Sequence, residues 1–223
     1  PAPFDTNPVV FHDQFDGIDY AAFLGSKLDA LDVVTDEFYA GEASIEITVP
    51  ETGYAGGAIT ANIPRDLSQY NAVAFWARAS IEASLNEVGY GNDNTGTSKY
   101  TATVKALALT TSWQRYILPI PATGRLVPER GLFYFSEGPE NGEGYTIWFD
   151  EIEYVNVDAI SNPRPVMDQD DVSAFAGVSV RVGGTWTAFD VTVPEPRTLT
   201  VYHSAAYFTF ASSDEDVAVP DEG

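Results

Sequence analysis

Tyr145-Thr-Ile-Trp-Phe-Asp-Glu-Ile-Glu-Tyr154 alternates apolar and polar residues, which predicts a β-strand with one face in a core. Asp150 interrupts this aromatic run, and an unpaired carboxylate is costly to bury. Near the N-terminus, Val10-Phe-His-Asp-Gln-Phe-Asp-Gly17 has a similar mixture of aromatic and acidic residues. We interpret the two stretches as the first and last strands of one β-sandwich. Asp150 is then either near a shared cation or hydrogen-bonded to backbone groups.

The composition excludes several classes of protein. The 223 residues are 44% apolar and 13% aromatic, which is typical of a globular chain with one large core or two domains. The 11 basic and 33 acidic residues give a net charge of −22, which disfavours binding to nucleic acids or anionic membranes. Cysteine is absent, and the histidines are His12 and His203 alone, which disfavours thiol chemistry, His-based zinc sites and Ser-His-Asp catalysis.

Most of the chain reads as short alternating strands separated by Gly, Pro, Asn and Asp, whereas residues 20–32 have helical spacing and are expected to form a turn or a loose loop. The predicted strands are 9–15, 33–38, 43–49, 57–63, 72–79, 87–90, 100–109, 114–119, 131–135 and 146–155. This spacing indicates an all-β, two-sheet sandwich.

The composition changes after Val157. Ser161-Asn-Pro-Arg-Pro-Val-Met-Asp-Gln-Asp-Asp171 is rich in proline and acid, which is typical of a linker. Further alternation predicts strands over 178–182, 189–193, 199–203 and 207–210. We therefore predict a sandwich domain over 1–158, a linker over 159–171 and a small all-β domain over 172–223, which is either complete or truncated.

The N-terminal domain resembles the jelly-roll carbohydrate-binding modules of bacterial polysaccharide-utilising proteins. The resemblance rests on the order of several segments rather than on any one of them. They are Asp13-Gln-Phe-Asp-Gly17, Gly41-Glu-Ala-Ser-Ile-Glu-Ile-Thr-Val49, Gly53-Tyr-Ala-Gly-Gly57, Asp66-Leu-Ser-Gln-Tyr-Asn-Ala-Val-Ala-Phe-Trp-Ala-Arg78, Thr111-Ser-Trp-Gln-Arg-Tyr-Ile-Leu-Pro-Ile120 and Ile147-Trp-Phe-Asp-Glu-Ile-Glu-Tyr154. The C-terminal Phe210-Ala-Ser-Ser-Asp-Glu-Asp-Val-Ala-Val-Pro-Asp-Glu-Gly223 resembles the end of bacterial Ig-like group 2 domains, which implies a spacer or adhesive domain.

The jelly-roll resemblance implies a structural calcium ion. Calcium takes six to eight oxygen ligands, which in proteins come from carboxylates, backbone carbonyls and water. The matching positions are Asp16 or Asp13, Asp36 with carbonyls near Gly41, and Asp150. Such a clamp would join both ends of the domain. The alternative is that Asp13, Asp16 and Asp36 are solvated and Asp150 accepts backbone hydrogen bonds.

Sugars stack their apolar faces on aromatic rings and bind polar side chains through their hydroxyl groups. Alternation in residues 72–79 puts Trp76 and Arg78 on the face opposite Val73 and Phe75, so we predict a sugar subsite there. The same wall is expected to include Tyr90, Tyr100 and Tyr134, with Tyr54 closing over it. Each ring is also a candidate for the core, and we assign Trp113 and Trp148 to packing.

No catalytic residues are predicted. Glu151 and Glu153 share a strand face, but their spacing differs from that of laminarinase-type hydrolases, so we interpret them as surface acids. We predict a non-enzymatic module, monomeric within a larger extracellular or bacterial cell-surface protein, that binds a polysaccharide or oligosaccharide.

A neutral plant or algal glycan such as β-glucan fits the net charge, unless Lys99, Lys105, Arg78 and Arg115 form a local basic patch. The alternatives are a structural or adhesive module that binds protein, and an accessory domain of a glycoside hydrolase.

Overall fold

The computed structural model describes residues 4–168, 171–181 and 183–220. Within them, the chain forms β-strands and a short 3-10 helix, with the following bounds: β1 Val9–Phe11, β2 Ile18–Ala22, β3 Leu31–Val34, β4 Ser44–Val49, β5 Ala55–Arg65, β6 Ala72–Ala79, β7 Ala83–Tyr90, β8 Ala102–Leu109, β9 Gln114–Pro119, β10 Glu129–Glu137, β11 Tyr145–Val155, β12 Ile160–Met167, β13 Thr185–Val191, β14 Arg197–His203 and η1 Ala205–Tyr207. No helix among the described residues has the length and apolar character needed to cross a bilayer.

The strands form two sheets that pack as a jelly-roll β-sandwich, which confirms the predicted fold class. The small sheet has the order β3-β4-β11-β6-β9, with β1 also paired to β11. The large sheet has the order β12-β13-β14-β8-β7-β10-β5-β2. Residues 145–149 of β11 pair with β4, and Ile152 and Glu153 pair with β1. The two stretches that were singled out in the sequence are therefore neighbouring strands.

Aromatic side chains join the two sheets. Phe75 of the small sheet meets Phe133 of the large sheet at a centroid distance of 5.3 Å. Phe149 of β11 lies 5.4 Å from the same Phe133 ring and 5.7 Å from Phe75. Edge-to-face packing of this kind is favoured by the ring quadrupoles. The core rings thereby fix which face of each strand points outward.

The N-terminal part of the chain differs from the predicted strands, and β1 ends at Phe11 rather than at residue 15. Strand β2 was not predicted, although it begins just before the segment that was expected to be a turn or loop. Its backbone pairs with β5 from Ile18 to Ala22, so tertiary pairing decides its conformation. The strand predicted over 33–38 forms earlier, as β3, because residues 31–34 pair with β4.

The C-terminal part differs more. Residues 160–167, predicted as linker, form β12 because they pair with β13. Strand β14 pairs with β8 through Tyr202 opposite Thr103 and His203 opposite Ala102. Strands from both predicted domains therefore share the large sheet.

Two of the predicted C-terminal strands do not form. Residues 178–181 are not in a strand, and residue 182 lies outside the described residues. Residue 207 belongs to η1, and residues 208–210 are not in a strand. The Ig-like resemblance stays a prediction; its last residues, 221–223, also lie outside the described residues.

Candidate functional site

A groove of about 550 Å³ lies on the outer face of the large sheet. Strand β10 shows how the sequence builds it: Phe133 and Phe135 are buried in the core, so Tyr134 and Ser136 point to the opposite face. We call this pocket the groove; it is lined by Phe23, Tyr54, Glu87, Asn92, Asn94, Gly96, Tyr134 and Ser136.

Glycines let two tyrosine rings lie close to the sheet. A Cβ atom on Gly89, the register partner of Tyr134, would stand 2.8 Å from the Tyr134 ring. A Cβ atom on Gly56 would stand 3.2 Å from the Tyr54 ring. The Tyr54 hydroxyl donates a hydrogen bond to the Leu24 carbonyl oxygen at 2.7 Å, which ties this ring to the segment after β2. The glycines therefore define the depth of the groove.

Tyr134 forms the floor of the groove. It is only 5% exposed, its hydroxyl is hydrogen-bonded to the Thr103 hydroxyl, and its ring meets Phe23 edge to face at 6.2 Å. Burial raises the pKa of Tyr134 to about 12, so its hydroxyl stays protonated at neutral pH. Phe23 and Tyr54 are half-buried and present more of their rings to a ligand.

The loop after β7 supplies amide groups to the rim. Asp93 accepts hydrogen bonds from the Ser98 and Thr95 hydroxyls, both at 2.6 Å, which organises this loop. Burial alone would raise the pKa of Asp93, but these hydrogen bonds outweigh it and the pKa is lowered. The Asn94 amide donates to the Ala22 carbonyl at 3.2 Å, so the loop reaches across to β2.

The lining is suited to recognition of a neutral polar molecule. It combines aromatic rings with amide and hydroxyl groups, which donate and accept hydrogen bonds without carrying charge. The groove lining includes one carboxylate, Glu87, which lies 3.3 Å from the Lys105 ammonium group. Glycoside hydrolysis usually requires two carboxyl groups across the cleaved bond, and this lining does not provide that pair.

The predicted ligand residues fall into separate places. Tyr54 and Tyr134 meet in the groove. The inclusion of Tyr90 is wrong, because its ring is buried between the sheets and its hydroxyl donates to the Pro119 carbonyl at 2.7 Å. Tyr100 lies before β8 and packs against Tyr207 at 5.6 Å.

Trp76 and Arg78 lie on the small sheet, facing away from the groove. The Trp76 ring is stacked on Tyr39 with a centroid distance of 3.6 Å. Arg78 donates to Glu37 at 2.9 Å, and its guanidinium group lies 5.3 Å from the Trp148 ring centroid. We call this set, together with Trp113 and Glu46, the aromatic layer.

The remaining indole groups of the aromatic layer are also partnered. The Trp113 Nε1 atom donates to Glu37 and the Trp148 Nε1 atom donates to Glu46, both at 2.9 Å. The Glu37 and Glu46 carboxylates therefore accept hydrogen bonds from Arg78 and these two indoles, and one face of the Trp76 ring is covered by Tyr39. A single site cannot contain both Trp76 and Tyr134, because they lie on different sheets.

Of the predicted metal ligands, Asp13, Gly41 and Asp150 converge on the loop before β4. Asp150 is fully buried; its Oδ2 atom accepts the N–H groups of Tyr39 at 2.8 Å and Ala40 at 3.0 Å, and Oδ1 accepts that of Glu151 at 2.7 Å. Burial raises the pKa of Asp150, whereas these hydrogen bonds oppose the rise.

The other acids do not complete a calcium site as placed. Asp13 accepts the N–H groups of Glu42 at 2.5 Å and Ala43 at 3.1 Å, while Asp16 and Asp36 are exposed. Within the described residues, no group of three or more His, Cys, Asp or Glu side chains is placed to hold a metal ion. Backbone N–H groups are the partners of the Asp13 and Asp150 carboxylates in this structure. The calcium clamp stays a prediction.

Glu151 and Glu153 flank His12 on the edge formed by β1. The His12 Nε2 atom lies 3.5 Å from Glu151 and 3.8 Å from Glu153. Burial raises the pKa of Glu151, and the nearby His12 opposes the rise. Both acids are partly exposed on one strand, as expected for surface acids, and they do not line the groove.

Sequence reasoning missed Phe23, Glu87, Asn94 and Ser136 as groove residues. The sequence signal for Ser136 was its position two residues after Tyr134. Both side chains therefore point to the face opposite the buried Phe133 and Phe135. Phe23 gave no such signal, because it follows a strand that was not predicted. Asn94 lies in the loop after β7, and the reach of this loop to β2 depends on the fold.

A scan against protein-family models and a search of curated proteins found no match. Similar solved structures exist among carbohydrate-binding modules. The family 30 module of a cellulosomal cellulase of Clostridium thermocellum is 20% identical, with 70% of this chain and 96% of that chain covered and a TM-score of 0.47.

Two further modules give similar values. The family 11 module from Clostridium thermocellum, in complex with a β-1,3-1,4-mixed-linked tetrasaccharide, is 13% identical, with 70% and 98% covered and a TM-score of 0.46. A family 29 module variant complexed with mannohexaose is 15% identical, with 67% and 90% covered and a TM-score of 0.44. At these identities the likeness concerns the β-sandwich architecture alone.

Proposed function

We propose that this chain is a non-catalytic carbohydrate-binding module and that the groove is its binding site. The supporting observation is the meeting of Phe23, Tyr54 and Tyr134 with the amides of Asn92 and Asn94 in one groove. Rings offer surfaces on which the apolar faces of a sugar stack, and amides both donate to and accept from its hydroxyl groups.

The ligand is a neutral glycan, with β-glucan or another plant or algal polysaccharide favoured. The net charge of −22 repels sulfated and uronate-rich chains. Lys105 does not relieve this repulsion in the groove, because it is paired with Glu87. We place the module, as a monomer, in a larger extracellular or cell-surface protein that handles polysaccharide.

Affinity electrophoresis through gels that contain individual neutral polysaccharides tests the proposal. We expect β-glucan to retard the parent chain and Tyr54→Ala to weaken binding about tenfold, since one stacked ring is lost. Tyr54→Phe retains the ring and loses only the bond to Leu24, so it should bind nearly as well as the parent.

Trp76→Ala is the matched control on the opposite sheet. Because Trp76 is stacked on Tyr39, we expect this variant to lose stability while keeping its affinity for glycan. If folded Trp76→Ala loses affinity for glycan while Tyr54→Ala keeps the affinity of the parent, the sugar site is the aromatic layer and not the groove.

The same panel separates the alternative functions. Absence of retardation by every polysaccharide would favour a structural or adhesive module that binds protein. Release of reducing sugar from any polysaccharide would contradict a non-catalytic role.

A further inference from the structure

The C-terminal hairpin extends the face that carries the groove. Tyr202 of β14 is the register partner of Thr103 in β8, Thr103 is the partner of Gly89 in β7, and Gly89 is the partner of Tyr134 in β10. Residues that are directly opposite one another in neighbouring strands project from the same face of a sheet. Tyr202 therefore lies on the outer face, in one row with the groove floor.

Side-chain contacts connect Tyr202 to the groove. The Lys105 ammonium group lies 5.4 Å from the Tyr202 ring centroid and 3.3 Å from the Glu87 carboxylate, which is part of the groove lining. Thr103, which lies between Tyr202 and Tyr134 in the same row, is hydrogen-bonded to the Tyr134 hydroxyl at the groove floor. The surface between Tyr202 and the groove is thus continuous.

Tyr202 is also available to a ligand. It is 43% exposed, whereas Tyr134 is 5% exposed, although the two side chains belong to one row. The next strand places Trp186 opposite Tyr202, and Trp186 is half-buried. An exposed ring beside an ammonium donor has the same chemical components as the groove: a stacking surface and a hydrogen-bond donor for hydroxyl groups.

We infer that Tyr202, with Lys105 beside it and Trp186 beyond it, forms an additional sugar subsite, so that the module binds an extended linear polysaccharide that crosses the strands. This inference rests on the proposed function of the groove. Three strand spacings of about 4.8 Å separate β10 from β14, or ~14 Å in all, which several linked pyranose rings are needed to span. The ligand class is therefore a long neutral chain rather than a single sugar or a chain end.

The test measures affinity against chain length. Isothermal titration with short β-glucan oligosaccharides, long β-glucan oligosaccharides and intact β-glucan is carried out on the parent chain and on Tyr202→Ala. We expect Tyr202→Ala to weaken binding of the long ligands about tenfold and to leave binding of the shortest ligands unchanged, because short chains occupy the groove alone. Tyr202→Phe, which keeps the ring, should restore the affinity for long ligands.

Two further variants keep the result interpretable. Lys105→Gln changes an exposed side chain that also pairs with Glu87 of the groove, and it should weaken the long ligands by a few fold more than the short ones. Tyr39→Ala removes a ring of similar exposure, 42%, from the loop that covers the other sheet and should leave every affinity unchanged. Melting curves confirm that each variant is folded at the temperature of titration.

The possible failures are distinguishable. If Tyr54→Ala weakens all ligands and Tyr202→Ala weakens none, the groove is the binding site and the additional subsite is wrong. If the parent chain binds no β-glucan of any length, the proposed β-glucan binding is wrong and the subsite is rejected with it. Equal weakening of short and long ligands by Tyr202→Ala would also overturn the inference.

Discussion

Glu129 shows how one buried side chain makes stability depend on pH. The carboxyl group is buried, and its Oε1 atom accepts the N–H groups of Arg130 at 2.9 Å and Gly131 at 2.8 Å. Burial raises the pKa of Glu129 to about 7, although the two hydrogen bonds oppose the rise. The folded state thus binds a proton that the unfolded state releases near its ordinary pKa of about 4.3.

The sign of the effect follows from this difference in proton binding. The contribution of Glu129 to the free energy of unfolding is greatest below the unfolded pKa, falls as the pH rises toward 7, and then stays constant. Glu129→Gln remains uncharged at every pH. We therefore expect the free energy of unfolding of Glu129→Gln, relative to that of the parent, to rise by up to about 3 kcal/mol from pH 5 to pH 8. Thermal melting at both pH values measures this gain, and Glu51→Gln, at an exposed acid, should show none. An equal offset between Glu129→Gln and the parent at both pH values would contradict the prediction.

Side chains of three residues from different parts of the chain hold the loop between β3 and β4 by hydrogen bonds. Asp150 binds the N–H groups of Tyr39 and Ala40, Asp13 binds those of Glu42 and Ala43, and the Ser44 hydroxyl donates to the Glu37 carbonyl at 2.6 Å. The loop in turn delivers Tyr39 to Trp76, and the Glu37 carboxylate to Arg78 and Trp113. The order of this loop therefore decides whether the aromatic layer forms.

Asp150→Ala tests this element. The change leaves three backbone N–H groups without their acceptor, so we expect a loss of about 3 kcal/mol in the free energy of unfolding. The loss should persist in EGTA, because these N–H groups need the carboxylate whether or not a cation is present. Denaturant unfolding of parent and variant, with EGTA and with added calcium, measures it, and Glu151→Ala on the same strand is the control.

The calcium clamp predicts a different result in the same experiment. EGTA would then lower the melting temperature of the parent, and added calcium would restore it, because a ligand that binds only the folded state stabilises that state. An Asp150→Ala loss that is seen only with calcium would support the clamp over the backbone hydrogen bonds.

Alternation was sufficient to predict most strands of the sandwich and the outward direction of Trp76 and Arg78. It could not predict that Tyr39, from a loop distant in sequence, covers Trp76, because that contact exists only after β3 and β4 pair. Tyr134 and Tyr54 were both recognised as candidates, but Phe23, their neighbour in the groove, follows a strand that was not predicted. The sequence alone therefore did not show which aromatic residues lie together on each of the two outer faces of the sandwich.

At the scale of the whole molecule, the C-terminal strands share the core of the sandwich. Val201 is fully buried, and Tyr207 is nearly so. The Tyr207 hydroxyl donates to the Tyr100 carbonyl oxygen at 2.9 Å, and burial raises the pKa of Tyr207 well above its usual value. Tyr207 and Val201 belong to the same hydrophobic cluster as Tyr90 and Tyr154.

This shared core predicts that the chain unfolds as one cooperative unit. We expect differential scanning calorimetry to give a single transition, with equal calorimetric and van't Hoff enthalpies. Tyr207→Ala should shift the whole transition and cost about 3 kcal/mol or more, because a large buried ring is removed from the shared core. Val217→Ala, at an exposed side chain, should leave the transition unchanged. Two transitions, with only one of them shifted by Tyr207→Ala, would instead support the separate C-terminal domain predicted from composition. In that case Tyr202 would belong to a unit that folds independently of the groove, and its role as an added subsite would depend on contacts between two domains rather than on one continuous sheet.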